Sequence, residues 1–166
     1  MLSHRYISED DKEAIENFQC DSEPTVKEFL VEQAYKMQQL KMTSTKLFFD
    51  GDNKLIGYFT LYNDMMKIGK EKRVKHGLSD LPSVKYYPAV KLHYLGVDSR
   101  YQKIGYGKEL LFSALDTVSR ISEESGCIFM SVESLKSSVD FYYKYEFQHL
   151  SDNKPFTNMF FKIGEF

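Results

Sequence analysis

A short apolar run with a glycine near its end, Leu92-His93-Tyr94-Leu95-Gly96-Val97, leads through a polar turn to Gly105 and Gly107, where a helical pattern begins. The order is strand, loop, helix. A second buried run, Ile128-Phe129-Met130-Ser131-Val132, follows the helical segment Gly107 to Glu124, whose Leu110, Leu111, Ala114, Leu115, Val118 and Ile121 share one face before Ser125-Gly126 ends it. A strand, a helix and a strand in succession form a βαβ unit. Its two strands are therefore expected to be parallel.

The glycines of this unit also bear on function. A phosphate-binding loop presents several backbone N–H groups in one direction, and side chains at Gly105 and Gly107 would block the approach. The helix that follows adds unpaired donors and the positive end of its dipole, with Arg100, Lys103 and Lys108 close in sequence. A pyrophosphate suits such a loop; a plain turn is the other reading. Two known phosphate loops are excluded. Leu110 stands where the dinucleotide fingerprint needs a third glycine, and Gly107-Lys108-Glu109 lacks the Ser or Thr of a Walker loop.

The remaining chain supplies more strands and helices. Asp10 to Phe18 reads as a short helix. Thr25-Val26-Lys27-Glu28 reads as a capping box opening a second helix, with Val26, Phe29, Leu30, Ala34 and Met37 on one face. That helical pair reads first as core and second as a wall of an acceptor pocket. Lys46 to Phe49 and Leu55 to Tyr62 are strand-like around the turn Asp50-Gly51-Asp52-Asn53. From Asp64 to Pro88 the pattern dissolves into a loop with a basic run, Lys67, Lys70, Lys72, Arg73, Lys75 and His76. It reads as a solvated loop, or as a polyanion contact. Ser137 to Tyr145 reads as a helix, and Phe147 to Leu150 and Asn158 to Ile163 as strands. Gly96 inside its strand marks a bulge or a close approach of backbone.

Size and composition set limits. The 166 residues, 42% hydrophobic and 28% charged, suit one globular domain over residues 1–166, and a net charge of -2 supplies no general field for nucleic acid or anionic membrane. Cys20 and Cys127 are far apart in sequence and read as reduced thiols, while the four histidines show no metal-ligand spacing, so no metal is expected. Glu9, Asp10 and Asp11 occupy the place of a signal peptide's apolar core, and no apolar run has the length of a membrane span. A cytoplasmic protein is expected.

Gln102-x-x-Gly105-x-Gly107, after a strand ending in Leu95-Gly96-Val97-Asp98, resembles motif A of the GNAT acyl-CoA N-acyltransferases. Phe141-Tyr142-Tyr143-Lys144-Tyr145-Glu146-Phe147 resembles that family's Phe-Tyr, three residues, Gly-Phe signature, with Glu146 in the place of glycine, which puts the tightness of that turn in question. The resemblance implies an α/β (α+β) GNAT fold: a mixed central sheet of about six to seven strands with a splayed parallel pair, flanked by about four helices. It implies acetyl-CoA as co-substrate. Its pantetheine arm would lie along Leu95, Gly96 and Val97, and its pyrophosphate on the loop of Gln102, Lys103, Ile104, Gly105, Tyr106, Gly107 and Lys108.

The implied activity is N-acetyl transfer to a primary amine of a small molecule, a protein or aminoacyl-tRNA. By resemblance Tyr142 is the general acid; its alternative role is one more aromatic of the core. The base is less defined. His93 on the strand and Glu133 beyond the next strand are the candidates, each also readable as a structural or surface residue. Phe18-Gln19-Cys20-Asp21, Phe29 to Ala34 and Gly57 to Leu61 resemble the toxin branch that acetylates aminoacyl-tRNA, with Lys67, Lys70, Lys72, Arg73 and Lys75 as the tRNA contact. The net charge speaks against that branch. A homodimer is among the assemblies the resemblance admits. The rival class is a non-catalytic CoA-binding or interaction module with the same fold.

Overall fold

The computed structural model describes residues 1–164. Seven strands form one mixed sheet: β1 (Ser3–Tyr6), β2 (Ser44–Phe49), β3 (Leu55–Met66), β4 (Tyr87–Val97), β5 (Phe129–Leu135), β6 (Gln148–Asn153) and β7 (Phe156–Lys162), in the order β1-β2-β3-β4-β5-β7-β6. The β1/β2, β2/β3, β5/β7 and β6/β7 pairs are antiparallel. Between β4 and β5 runs the 20-residue helix Tyr106–Ser125. The N–H of Ile128 donates to the carbonyl of Pro88 at 3.1 Å, so the two strands start side by side and run the same way. This is the parallel pair that the βαβ pattern predicts.

The chain forms two compact units. The first holds Met1–Tyr62 and Leu92–Asp116, the second Asn63–Lys91 and the residues from Thr117 onward. In the first, α1 (Lys12–Asn17) is followed by α2 (Pro24–Phe29), which runs through a π-helical turn, Leu30–Ala34, into α3 (Tyr35–Gln39). Their apolar face is the one the spacing predicts. Val26, Phe29, Leu30 and Ala34 are buried with Leu47, Phe49 and Tyr58, and Met37 packs at the margin. The start of α2 differs from expectation: Glu23 precedes it and Pro24 takes the first position, with no side-chain cap. Thr25 is therefore already inside the helix. Proline suits that place because the first amide of a helix has no partner to lose.

Gly96 explains how closely α2 lies on β4. A Cβ built there would sit 2.3 Å from Val26 Cγ1, and the Tyr58 hydroxyl donates to the Val26 carbonyl at 2.5 Å. The glycine is thus required by helix packing.

In the second unit the basic stretch is more ordered than its sequence suggests. β3 continues to Met66, and a helix, here α4 (Lys70–Lys75), follows. The helix of the β4–β5 crossover is accordingly α5, and α6 is Val139–Lys144. The lysines hide the anchors that cause this order: Met66, Ile68 and Leu78 bury against Tyr87, Ala89, Phe129 and Phe160. Arg73 closes the turn. It is 8% exposed and donates to the Ile68 carbonyl at 2.9 Å and to Ser83 Oγ at 3.3 Å. The loop expected between Asp64 and Pro88 is therefore corrected to a strand end, a helix and a tethered return.

Gly96→Ala is expected to destabilise the protein by about 1–3 kcal/mol through overpacking, and Val26→Ala to restore part of that loss. A double-mutant cycle in urea checks it; additive effects would refute the contact.

Candidate active site

The site begins where β4 ends. Val97 is buried and hands the chain to Asp98, whose side chain is fully buried yet charged. Its carboxylate accepts from the Gln19 N–H (2.9 Å), the Arg100 N–H (2.9 Å), Arg100 Nε (2.9 Å) and Arg100 Nη2 (2.8 Å). Burial on its own raises the Asp98 pKa; the hydrogen bonds from the Arg100 side chain and from the Arg100 and Gln19 amides outweigh it, and the net direction is downward. Asp98 also donates its N–H to Ile56 and Ser99 donates to Gln19, each at 2.8 Å. Strand, turn and the α1–α2 connection are thereby joined at one residue.

Arg100, expected to lend charge to a phosphate, is committed elsewhere: its Nη2 also donates to the Asn17 carbonyl at 3.0 Å. The loop beyond it is shaped by local bonds and backbone angles. Gln102 Nε2 returns to the Val97 carbonyl at 2.9 Å, Lys103 has φ 63° and Gly105 φ 100°. A Cβ on Gly105 would meet nothing within 4 Å, so its conformation demands glycine and the space outside is open. The Glu109 N–H bonds to the Gly105 carbonyl at 3.2 Å, which makes Gly105 the cap of α5. The amides of Tyr106, Gly107 and Lys108 precede that first helical bond and have no partner within the helix. Lys103, Ile104 and Lys108 are exposed; Tyr106 and Gly107 are half-buried. The loop suits a diphosphate.

On β4 itself Leu95 is half-buried, Gly96 and Val97 buried. His93 is half-buried among rings, with centroids 5.1 Å from Phe29, 4.9 Å from Tyr62 and 4.7 Å from Tyr94. Tyr94 stacks on Phe29 at 4.3 Å, and burial followed by the charge of Glu28 pushes its phenol pKa up.

Tyr142 and Glu133 belong to the second unit. Tyr142 lies on α6, 5% exposed, its ring 5.2 Å from those of Phe141 and Phe147. Burial pushes its phenol well above the ordinary range, so at neutral pH it holds its proton and is a donor. The turn after it keeps its form without glycine. Glu146 adopts φ 68°, and the Phe147 N–H reaches the Tyr142 carbonyl at 3.1 Å. Glu133 is exposed and its carboxylate is held by Lys91 Nζ.

Two members of the basic run are occupied: Arg73 is buried, and Lys72 donates to the Leu150 carbonyl at 2.5 Å. Lys67, Lys70 and Lys75 are exposed. Sequence reading did not assign Asp98 a role, although an aspartate two residues before Arg100 was its visible signal. It also missed Asp64 and Lys91, which share a pocket of about 310 Å³ with Ser131 and Glu133. In the first unit a cavity of about 460 Å³ opens beside α2, lined in part by Cys20, Lys27 and Glu28.

A parallel crossover whose first strand passes through an open glycine turn into a long helix is the arrangement that an acyl-CoA-dependent N-acyltransferase fold requires. Residues 8–161 match the family model described as an acetyltransferase (GNAT) domain, and the chain belongs to that family. No curated protein matches it. Among solved structures, one described as a bacterial toxin is 20% identical, with TM-score 0.83, over 98% of this chain and 91% of its own. AtaT complexed with acetyl-methionyl-tRNAfMet is 22% identical, TM-score 0.81, over 98% and 95%. A tyrosine-to-phenylalanine variant of KacT is 22% identical, TM-score 0.83, over 98% and 95%. At these identities the likeness is one of fold. Among the described residues no group of His, Cys, Asp or Glu is placed to hold a metal ion, and no helix is long and apolar enough to cross a membrane.

Asp98→Asn is expected to cost about 2–4 kcal/mol, since it leaves buried donors mismatched. The folded pKa is depressed, so the wild-type stabilisation is present above the unfolded value of about 3.9 and is lost as pH falls through the lower folded one. Urea midpoints should therefore drop on acidification in that window, and drop less for the variant. Glu146→Gly should raise stability by roughly 0.5–1 kcal/mol by relieving the left-handed residue, read as a higher Tm.

Proposed function

We propose that the protein is an N-acetyltransferase that moves an acetyl group from acetyl-CoA to a primary amine, with residues 1–166 acting as a single GNAT domain in the cytoplasm. The observation that carries this reading is the open turn at Gly105, left-handed and unfilled, at the head of a 20-residue helix with Lys103 and Lys108 exposed beside it. These residues fit a diphosphate. The amides from Gln102 to Lys108, through Ile104, Gly105, Tyr106 and Gly107, would hold it, and the backbone of Leu95, Gly96 and Val97 would take the pantetheine arm as an added strand. Acetyl-CoA supplies an acetyl group activated as a thioester.

The protein's own groups handle protons. Tyr142 holds one on Oη for the departing thiolate, a role its raised pKa supports because the phenol stays protonated at neutral pH. His93 is the base we carry forward, since the Glu133 carboxylate is engaged by Lys91. Aminoacyl-tRNA is the proposed acceptor. What supports it is the fold shared with AtaT, solved with acetyl-methionyl-tRNAfMet, and the exposed Lys67, Lys70 and Lys75. Lys72 and Arg73 are not part of that contact.

Calorimetry should show heat on adding acetyl-CoA, and thiol should be released when charged tRNA is present at low salt. Tyr142→Phe should lower kcat by about 10²-fold or more with the Kd for acetyl-CoA unchanged. Heat without thiol release from any amine would leave a binding module, and no heat at all would overturn the reading. Thiol release with small amines but not with charged tRNA would remove the tRNA acceptor alone.

A further inference from the structure

The outward side of α2 carries a charge pattern that packing does not explain. Its core-facing residues, with those of the π-helical turn after it, are Val26, Phe29, Leu30 and Ala34. A different face, Pro24, Lys27, Glu28, Val31 and Glu32 at three- and four-residue spacing, walls the 460 Å³ cavity together with Cys20 and Asp21 of the connection before the helix. The cavity is thus a groove along the helix, and its volume is that of a small-ligand site.

Asp21, Glu28 and Glu32 are exposed, and none of their carboxylates accepts a hydrogen bond or joins an ion pair among the described residues. Lys27, the cation beside them, is turned away, since its Nζ donates to the Glu16 carbonyl at 2.9 Å. Glu28 and Glu32 stand four residues apart on one helix, where like charges repel. The floor is uncharged. Cys20 is 7% exposed and its S–H donates to no acceptor among the described residues; burial, followed by the charges of Glu23, Asp21 and Asp98, outweighs a backbone hydrogen bond from Glu23 and pushes the thiol up. It stays protonated and packs as a small apolar group.

The acids are strung out along the groove. A helix rises about 1.5 Å per residue, so Pro24, Glu28 and Glu32 are stepped by about 6 Å, and Asp21 lies on the segment that leads into Pro24. A metal ion needs its ligands converged, and among the described residues no such group is placed to hold one. A linear polycation needs the opposite. Each bond of an extended aliphatic chain advances about 1.25 Å, so ammoniums three or four methylenes apart are separated by about 5–6 Å, close to the step of the carboxylates.

We propose that this groove holds a protonated linear aliphatic triamine, with Asp21, Glu28 and Glu32 each accepting from one ammonium and Pro24, Val31 and Cys20 lying along its methylenes. The triamine is bound here and not acetylated: carboxylates keep an amine in its charged form, whereas attack on a thioester needs the neutral one. The site is therefore independent of the acetyltransferase reading.

Spermidine is the probe, by calorimetry and protein-observed NMR on the full chain at low salt, with putrescine, butylamine and Mg²⁺ for comparison. One spermidine should bind per chain and shift the amides of Asp21, Lys27, Glu28, Val31 and Glu32. Putrescine, which forgoes one ion pair, should bind about fivefold more weakly and butylamine, which forgoes two, more than tenfold. An equal concentration of Mg²⁺ should not displace spermidine. Glu28→Gln with Glu32→Gln should keep or raise the Tm and weaken spermidine about tenfold. Glu9→Gln with Glu13→Gln, at two exposed acids that do not line the groove, should leave its affinity unchanged. Absence of binding, equal affinity for spermidine and butylamine, or undiminished binding after the Glu28 and Glu32 substitutions overturns the proposal. An equal loss after the Glu9 and Glu13 substitutions also overturns it, since the attraction would then belong to the acidic surface at large. Heat from acetyl-CoA tests the enzymatic reading separately, and neither result decides the other.

Discussion

The Asp98 carboxylate is the interaction on which the first unit depends. A buried charge without partners costs several kcal/mol, so this one is tolerable only because four N–H donors converge on it. Three of those bonds come from Arg100, two residues on, and force the chain to turn immediately after β4. The fourth comes from Gln19, which brings the α1–α2 connection to the same point. Everything beyond that turn inherits its position: Gln102 folds back on Val97, Gly105 takes φ 100°, and α5 starts at Tyr106. The shape of the turn before α5 is therefore a consequence of a structural anion. A carboxylate that belongs to the protein organises the backbone that would receive a phosphate.

Much of this was legible in the sequence because it rests on local rules. The apolar spacing of Val26, Phe29, Leu30 and Ala34 fixes the buried face of α2, and the two glycines before Leu110 fix the head of α5. The illegible parts depend on contacts distant in sequence. Gly96 reads as a bulge or a ligand approach, yet the atom that forbids a side chain there is Val26 Cγ1, some seventy residues earlier by the numbering. Helix α4 escapes notice for a similar reason: three of its six residues are lysines, and the apolar anchors that hold it, Ile68 and Leu78, lie outside the helix. Arg100 and Arg73 show the limit for charge. Each reads as a cation awaiting an anion; Arg100 is consumed by the Asp98 carboxylate and the Asn17 carbonyl, and Arg73 by the Ile68 carbonyl and the Ser83 hydroxyl.

Among the described residues four non-glycines are left-handed, Lys41, Asn53, Lys103 and Glu146, and the last two lie in the two motifs. Lys103 lies inside the turn before α5 and Glu146 in the turn after Tyr142. Each costs about 1–2 kcal/mol, a sum that the surrounding bonds must offset. At Glu146 the offset is visible in the bonds from Glu146 and Phe147 back to Tyr143 and Tyr142. The family's usual glycine is thus dispensable for the shape of the turn, because hydrogen bonding dictates the angle and glycine only lowers its cost.

The charges of the protein divide by how completely they are satisfied. Asp98 is saturated; its four bonds leave no acceptor site facing outward, and its role ends within the fold. Asp11 is of the same kind, taken up by Arg5 at 2.7 Å and by the Ser8 N–H at 2.8 Å, with its side chain 1% exposed. Asp64 and Glu133 differ, since each retains acceptor capacity and borders a cavity. Asp64 is half-buried and Glu133 exposed, so solvent reaches the acceptor sites that the folded chain leaves open. Saturation therefore separates the carboxylates that build this protein from those placed to meet something outside it.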